Sequence, residues 1–135
     1  MIMFNSQRSP LLRRALIADA VITGATGIAL FAAAGLLAAL LGLPDPLLRY
    51  AGLSLIPFAA FVGALAMKDR VSRTAVRVVI AANVLWVVDS VLLLVTGWVE
   101  PSVLGYAFVI GQAIIVAAFA ELQHAGLRSS TVAAI

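Results

Sequence analysis

The sequence contains no cysteine and only one histidine, and these two shortages limit the chemistry open to the chain. Without cysteine, its own residues can form no disulfide, thiolate metal site or iron–sulfur cluster. His124 alone cannot supply both axial ligands of a b-type haem, and a zinc site lacks its ligand set. We find no phosphate-binding glycine loop, no Ser–His–Asp set and no close pair of carboxylates. The sequence therefore predicts no metal, no cofactor and no enzymatic activity.

Charged residues are also scarce. They make up 11% of the 135 residues, whereas hydrophobic residues make up 64% and the mean hydropathy is +1.14. Soluble domains carry about 25% charged residues, and so few charges cannot cover a water-exposed surface. The composition excludes a soluble globular enzyme, a disordered tail and a nucleic-acid-binding module, despite a net charge of +3. It predicts an integral membrane protein whose single transmembrane domain covers residues 1–135.

Four long segments carry no charge or only one, and each is long enough to cross a membrane. A helix needs about 20 apolar residues to span a hydrocarbon core about 30 Å thick. Short connections make consecutive helices antiparallel neighbours. The predicted fold is an all-α, integral membrane four-helix bundle threaded up-down-up-down. Its spans are predicted at about 11–43, 47–67, 72–98 and 102–126.

The distribution of lysine and arginine predicts the orientation of the bundle. Eight of the nine basic residues precede the first span, follow the fourth span or flank the second connection. Only Arg49 lies on the other side. Because cytoplasmic loops carry the excess of basic residues, both termini are predicted to be cytoplasmic.

Asp89 is the leading candidate for a functional residue within the membrane. It lies nine residues before Trp98, and Gln112 lies ten residues after Ser102 on the next span. At 1.5 Å per residue, both side chains are about 13–15 Å below the same face of the bundle. Because burial disfavours a charged carboxyl, we expect a neutral Asp89 hydrogen-bonded to the Gln112 amide.

Helical periodicity places more polar residues on the same faces. At about 100° per residue, four positions on the third span fall within an arc of about 120°. The predicted intramembrane polar site consists of Asp89, Gln112, Asn83, Ser90 and Trp86. A secondary polar stripe on the first span consists of Asp19, Thr23 and Thr26. These residues either form a functional site or hold the helices together by hydrogen bonds.

Asp19 is expected to differ from Asp89 in depth. It lies nine residues after Pro10 and is therefore placed near the cytoplasmic boundary, within reach of Arg13 and Arg14. In the same span, Gly24 follows Ala20 and Gly27 follows Thr23, each at a spacing of four. Such small residues let helix backbones approach closely, so this face is predicted to be packed.

Two segments of the second half carry a resemblance. Residues 83–97 (NVLWVVDSVLLLVTG) and 111–128 (GQAIIVAAFAELQHAGLR) resemble small four-helix inner-membrane proteins of bacteria. The resemblance implies a multi-pass protein of the bacterial inner (plasma) membrane and implies no activity. Small multidrug resistance transporters also have four short spans, but they carry an embedded glutamate in the first helix. The first span here has only Asp19, so that family is not assigned.

Two functions follow from these observations. The favoured one is a small multi-pass membrane protein that acts through its helix faces as an accessory, scaffold or ligand-binding subunit. Its expected partners are membrane lipid and either a second copy of itself or a larger membrane complex, with no nucleic acid. The alternative is a small transporter or proton-coupled channel that uses Asp89 with Gln112 and Asn83. An enzyme acting on lipid or quinone is disfavoured because one histidine and scattered carboxylates make a poor active site.

Overall fold

The computed structural model describes residues 10–70 and 72–133, with side chains described up to Ser130. The described chain is helical, and four of its helices are long and apolar enough to cross a membrane. This confirms the predicted all-α class and the number of helices able to span a membrane. The helices are α1 (Pro10–Ala32), α2 (Ala34–Leu41), α3 (Asp45–Met67), α4 (Arg73–Val95) and α5 (Val103–Ala133).

The predicted first span is divided into α1 and α2 at Ala33. The backbone there leaves the helical region, with φ −113° and ψ 28°. Backbone hydrogen bonds of 2.9 Å still join Ala33 to Ala29 and Leu37 to Ala33, so the hydrogen bonding continues across the break. At its other end, α2 stops at Gly42, which adopts φ 67°. This left-handed conformation suits glycine and ends the helix.

α5 begins where the sequence predicts, because Ser102 caps it. The Ser102 hydroxyl accepts a hydrogen bond from the Gly105 N–H at 3.1 Å. The same hydroxyl donates to the Leu40 carbonyl at 2.7 Å, and the Ser102 N–H donates to the Leu41 carbonyl at 2.9 Å. The cap therefore also ties the start of α5 to the end of α2.

α5 ends later than the predicted boundary at Gly126. A Cβ at Gly126 would lie 2.6 Å from the Leu12 Cα atom, so this glycine lets α5 approach the start of α1. Gly126 is buried inside a helix contact instead of ending the helix. The helix continues to Ala133 because no proline or capping residue stops it.

α1 is the central helix of the bundle. It packs most extensively against α3 and also against α5, while α4 packs on α5. α3 and α4 are joined by a short connection but pack little against each other, so the expectation that all consecutive helices are packed neighbours is wrong for this pair. A connection of a few residues keeps two helix ends close but does not force the rest of the helices into contact.

Closest packing occurs between glycines of α1 and α3. A Cβ at Gly52 would lie 2.5 Å from the Gly27 carbonyl oxygen, and one at Gly27 would lie 3.1 Å from the Gly52 carbonyl oxygen. Gly24 has more room, since its added Cβ would lie 3.4 Å from the Ala59 Cβ. The predicted close approach on this face is confirmed and is tightest at Gly27.

Two apolar clusters occupy the ends of the bundle. The first consists of Leu12, Leu16, Val62, Leu65, Ala66, Val76, Val79 and Leu127. The second consists of Leu30, Ala34, Leu41, Leu43, Leu48, Val99 and Val109. The first cluster lies at the end that carries Arg13, Arg73 and Arg128, which we call the basic end. Polar side chains occupy the space between the two clusters.

The outside of the bundle is apolar and much of its inside is polar. Val21, Leu36 and Ile114 are each more than 60% exposed, whereas Asp19 and Gln123 are completely buried. Water would not favour this distribution, but lipid would, because apolar side chains can face hydrocarbon while polar groups bond to each other. The fold is therefore compatible with a multi-pass membrane protein. The up-down-up-down threading and the cytoplasmic termini stay predictions.

Candidate functional site

Asp19 is the centre of a buried hydrogen-bond network that joins three helices. Its Oδ1 accepts a bond from the Thr23 hydroxyl at 2.7 Å. Its Oδ2 accepts from Asn83 Nδ2 of α4 at 2.9 Å and from Gln123 Nε2 of α5 at 2.7 Å. Asn83 Nδ2 also donates to Gln123 Oε1 at 3.0 Å. We call these four residues the Asp19 layer.

Asp19 is completely buried in the bundle, although the sequence predicts a position near the cytoplasmic boundary within reach of two arginines. Leu12 and Leu16 belong to the first apolar cluster, which lies between Asp19 and the basic end. Arg13 and Arg14 are exposed, and neither forms an ion pair with Asp19 in the described part of the chain. The carboxyl is instead satisfied by three neutral donors, as a buried polar group must be.

Gln112 is the centre of a second network, between α4 and α5. Its Oε1 accepts a bond from Trp86 Nε1 at 2.6 Å. Its Nε2 donates to the Ser90 hydroxyl at 3.0 Å and to the Val109 carbonyl at 2.8 Å. The Ser90 hydroxyl in turn donates to the Trp86 carbonyl at 2.8 Å. We call Trp86, Ser90 and Gln112 the Gln112 layer.

Asp89 belongs to neither layer. Its side chain is exposed and makes no hydrogen bond or ion pair with the described residues, so the expected bond to Gln112 is wrong. At about 100° per residue, Ser90 lies about 40° to one side of Trp86, and Asp89 lies about 60° to the other side. The predicted arc of about 120° on this helix is too wide for all of its polar side chains to contact the same neighbouring helix. Only the Ser90 side faces α5, whereas the Asp89 side faces the gap next to α3.

The predicted site is thus divided into three places. Asn83, expected beside Asp89, belongs to the Asp19 layer. Gln123 is the residue that the site prediction missed. It follows Gln112 by eleven residues, a rotation of about 20° beyond three whole turns of the helix. The two amides therefore share one face of α5. This spacing could have identified it.

An interior cavity of about 500 Å³ lies between the four long helices. Thr23, Thr26, Ser54 and Gln112 contribute its polar lining. Among the described residues, no Cα atom of α1 lies within 8 Å of one in α4, so side chains of the Asp19 layer bridge the two helices. Thr26 of the secondary stripe is half-buried and faces this cavity.

A lateral cleft of about 880 Å³ lies between α3 and α4. It exists because these two helices pack little against each other. The side chains of Asp89 and Ser54 line it, and most of the remaining lining is apolar. Four aromatic rings contribute to the lining, those of Tyr50, Trp86, Trp98 and Phe108.

The described residues include no group of three His, Asp or Glu side chains that could hold a metal ion. The fold is compatible with a multi-pass helical membrane protein and indicates no narrower class. Comparisons with protein-family models, with curated proteins and with solved structures found no match to this chain.

Proposed function

We propose that this protein is a multi-pass membrane protein that binds an amphipathic organic cation in the lateral cleft between α3 and α4. One observation carries the proposal: Asp89 is the only acidic residue in the cleft lining, and it has no partner among the described residues. This is the ligand-binding form of the function predicted from the sequence.

The chemistry of the lining favours a cation over an anion or a neutral molecule. Within residues 10–70 and 72–130, no lysine, arginine or histidine lines the cleft, so none of these residues neutralises the Asp89 carboxyl. A carboxylate with no basic neighbour attracts a cation and repels an anion. The faces of Trp86 and Trp98 add a cation–π attraction. The apolar side chains of the cleft accommodate the hydrophobic body of the ligand.

The position of Asp89 along α4 favours an amphipathic ligand. Asp89 lies six residues before Val95, the end of α4, which is about 9 Å at 1.5 Å per residue. Trp86 lies three residues, or about 4.5 Å, deeper on the same helix and also lines the cleft. A ligand that enters from the bilayer would keep its charged group towards the membrane surface and its apolar group towards the centre.

Orientation and location belong to the same proposal. We place both termini in the cytoplasm, thread the helices up-down-up-down and assign the protein to the bacterial inner membrane. The support is the uneven distribution of basic residues, because Arg49 is alone at the end opposite the basic end and is paired with Asp45 at 3.1 Å. In this orientation, the Asp89 end of the cleft belongs to the outer half of the membrane.

Two probe ions of the same shape and opposite charge test the proposal. Both tryptophans of the chain line the cleft, so their fluorescence reports on binding in detergent or nanodiscs. Tetraphenylphosphonium should quench the fluorescence saturably, and tetraphenylborate should bind more weakly. Asp89→Asn should weaken binding of the cation by about tenfold, or about 1.4 kcal/mol, and leave the anion unaffected or more tightly bound.

Glu121→Gln is the matched control, because Glu121 is exposed on α5 and does not line the cleft. It removes the same charge and should leave cation affinity unchanged. Equal binding of the two probe ions by the unaltered protein would contradict the proposal. An equal loss of affinity in both variants would do the same, because it would show a general charge effect.

A transporter or proton-coupled channel is the second candidate. It is favoured by the shared walls of the cleft and the interior cavity, which have Trp86, Ser54 and Phe108 in common. Polar groups thus extend from Asp89 through Gln112 to Thr23, which belongs to the Asp19 layer. Proteoliposomes with a pH-sensitive dye inside test this candidate. Proton flux that Asp89→Asn abolishes would favour transport, and a protein that binds the cation without any flux would be a binding protein only.

A further inference from the structure

The basic end of the bundle contains an arginine-lined groove between α4 and α5. A cavity of about 300 Å³ lies between the first turns of α4 and the last turns of α5. Arg73 and Arg77 of α4 line it together with Arg128 and His124 of α5. The remaining lining is apolar and consists of Ile80, Ala81 and Leu127.

The charges of this groove are not neutralised by the protein. In the part of the chain that the structure describes, no acidic residue lines the groove and none of its three arginines forms an ion pair. The nearest acidic residues in sequence, Glu121 on α5 and Asp69 before α4, are exposed and likewise unpaired there. Three like charges around one small cavity repel each other, and a bound anion removes that repulsion.

The start of α4 adds to the attraction for an anion. Ser72 caps the helix, and its hydroxyl accepts the Ala75 N–H at 3.3 Å. Arg73 is the first helical residue and lines the groove, so the groove adjoins the positive end of the helix dipole. The groove therefore combines three cationic side chains with a favourable backbone field.

We propose that this groove binds the head group of an anionic phospholipid. Arginine is suited to phosphate because its planar guanidinium can donate two parallel hydrogen bonds to the phosphate oxygens. The apolar part of the groove, formed by Ile80 and Leu127, favours a lipid over free phosphate because it can contact the first carbons of an acyl chain. Basic pockets between helices near the membrane surface are suited to such head groups. The site is separate from the cleft and does not depend on the proposed cation binding.

Lipid retention by the full-length protein tests this site. The protein is purified from vesicles that contain phosphatidylcholine and phosphatidylglycerol, and the retained lipids are counted by native mass spectrometry. The unaltered protein should retain phosphatidylglycerol preferentially. A variant with Arg73→Gln, Arg77→Gln and Arg128→Gln should retain at least about tenfold less, as expected when charge-assisted hydrogen bonds are lost.

A second triple variant with Arg13→Gln, Arg14→Gln and Arg70→Gln is the matched control. It removes the same charge from the same end, but these residues do not line the groove. It should retain phosphatidylglycerol like the unaltered protein. An equal loss in both variants would overturn the proposal, because general attraction between the basic end and the membrane would explain it.

Two further measurements separate loss of binding from loss of folding, and a lipid phosphate from free inorganic phosphate. A variant with Arg73→Lys, Arg77→Lys and Arg128→Lys keeps the charge, and it should retain an intermediate amount because lysine cannot donate in parallel pairs. Inorganic phosphate is also added to the protein in phosphatidylcholine nanodiscs, and the unfolding temperature is measured. If phosphate raises that temperature as much as phosphatidylglycerol does, the groove binds soluble anions and the lipid proposal fails.

Discussion

The carboxyl of Asp19 connects three helices without any cationic partner among the described residues. Its Oδ1 accepts a bond from Thr23 of α1, and its Oδ2 accepts bonds from Asn83 of α4 and Gln123 of α5. A buried donor that loses its acceptor costs about 1–3 kcal/mol. Removing this one carboxyl would take an acceptor from three donors, of which only Asn83 Nδ2 would keep another, Gln123 Oε1. The stability of the bundle therefore depends on Asp19 more than on any exposed acidic residue.

Asp19→Leu should therefore lower the free energy of unfolding by about 3 kcal/mol or more, from the loss of acceptors for three buried donors. Asp19→Asn keeps an acceptor oxygen and should lower it by about 1 kcal/mol. Unfolding by sodium dodecyl sulfate in mixed micelles, followed by circular dichroism, measures both values. Equal stability of the leucine variant and the unaltered protein would contradict the network described above.

Asp89→Leu is the control for the previous prediction. Its side chain is exposed and has no partner in the described part of the chain, so the change in unfolding free energy should be within about 0.5 kcal/mol. Had Asp89 been paired with Gln112, as its depth predicts, this variant would be strongly destabilised. The same micelle measurement distinguishes the two arrangements.

The distance of a residue from the end of its helix could be predicted from the sequence. The direction of its side chain could be predicted only to within a wide arc around the helix. Asp19 is nine residues from Pro10, about 13 Å, and the sequence placed Asp89 at the same distance from Trp98. Arg13 and Arg14 suggested a membrane boundary near Asp19. Arginine side chains can extend to the surface from a deeper backbone position, so they do not mark that boundary closely.

The helices themselves were predictable because length and apolar composition alone define a membrane span. Their partners were not, because apolar residues face both lipid and neighbouring helices. The sequence identified the small residues around Gly27, which do lie in the contact between α1 and α3. It gave no sign that α3 and α4 separate, since that depends on how α1 and α5 fill the centre.

Gly52→Ala should loosen the contact between α1 and α3. The added Cβ would lie 2.5 Å from the Gly27 carbonyl oxygen and 2.6 Å from the Phe31 nitrogen, both of which are backbone atoms that cannot turn aside. Overpacking of this kind typically costs about 1–3 kcal/mol. The unfolding free energy in mixed micelles should fall by about that amount.

Gly111→Ala is the matched control on α5. A Cβ at Gly111 would meet nothing within 4 Å, so this variant should be as stable as the unaltered protein or slightly more stable. A loss of stability at Gly111 as large as that at Gly52 would show that glycine is needed for helix flexibility. In that case, the close approach of α1 and α3 would not be the cause.

The orientation of the bundle can be tested because the chain lacks cysteine. Cysteines introduced at Glu100 and at Ser129 lie at opposite ends of α5, and both positions are exposed. In intact cells, an impermeant maleimide should label the cysteine at Glu100 and leave the one at Ser129 unlabelled until the membrane is opened. Labelling of Ser129→Cys in intact cells would place the basic end outside and reverse the proposed orientation.

The Asp19 layer also determines when the protein can be completed during synthesis. Asp19 emerges from the ribosome on the first helix, but Gln123 arrives only with the last one, 104 residues later. Until then, the carboxyl lacks the donor from α5, and we expect such an unsatisfied polar group to be recognised by quality-control proteases. A chain ended after Val95 should accordingly be degraded faster than the full chain in a pulse-chase experiment, and Asp19→Leu should prolong its lifetime. The residue that stabilises the finished protein would then be the one that exposes each unfinished copy to disposal.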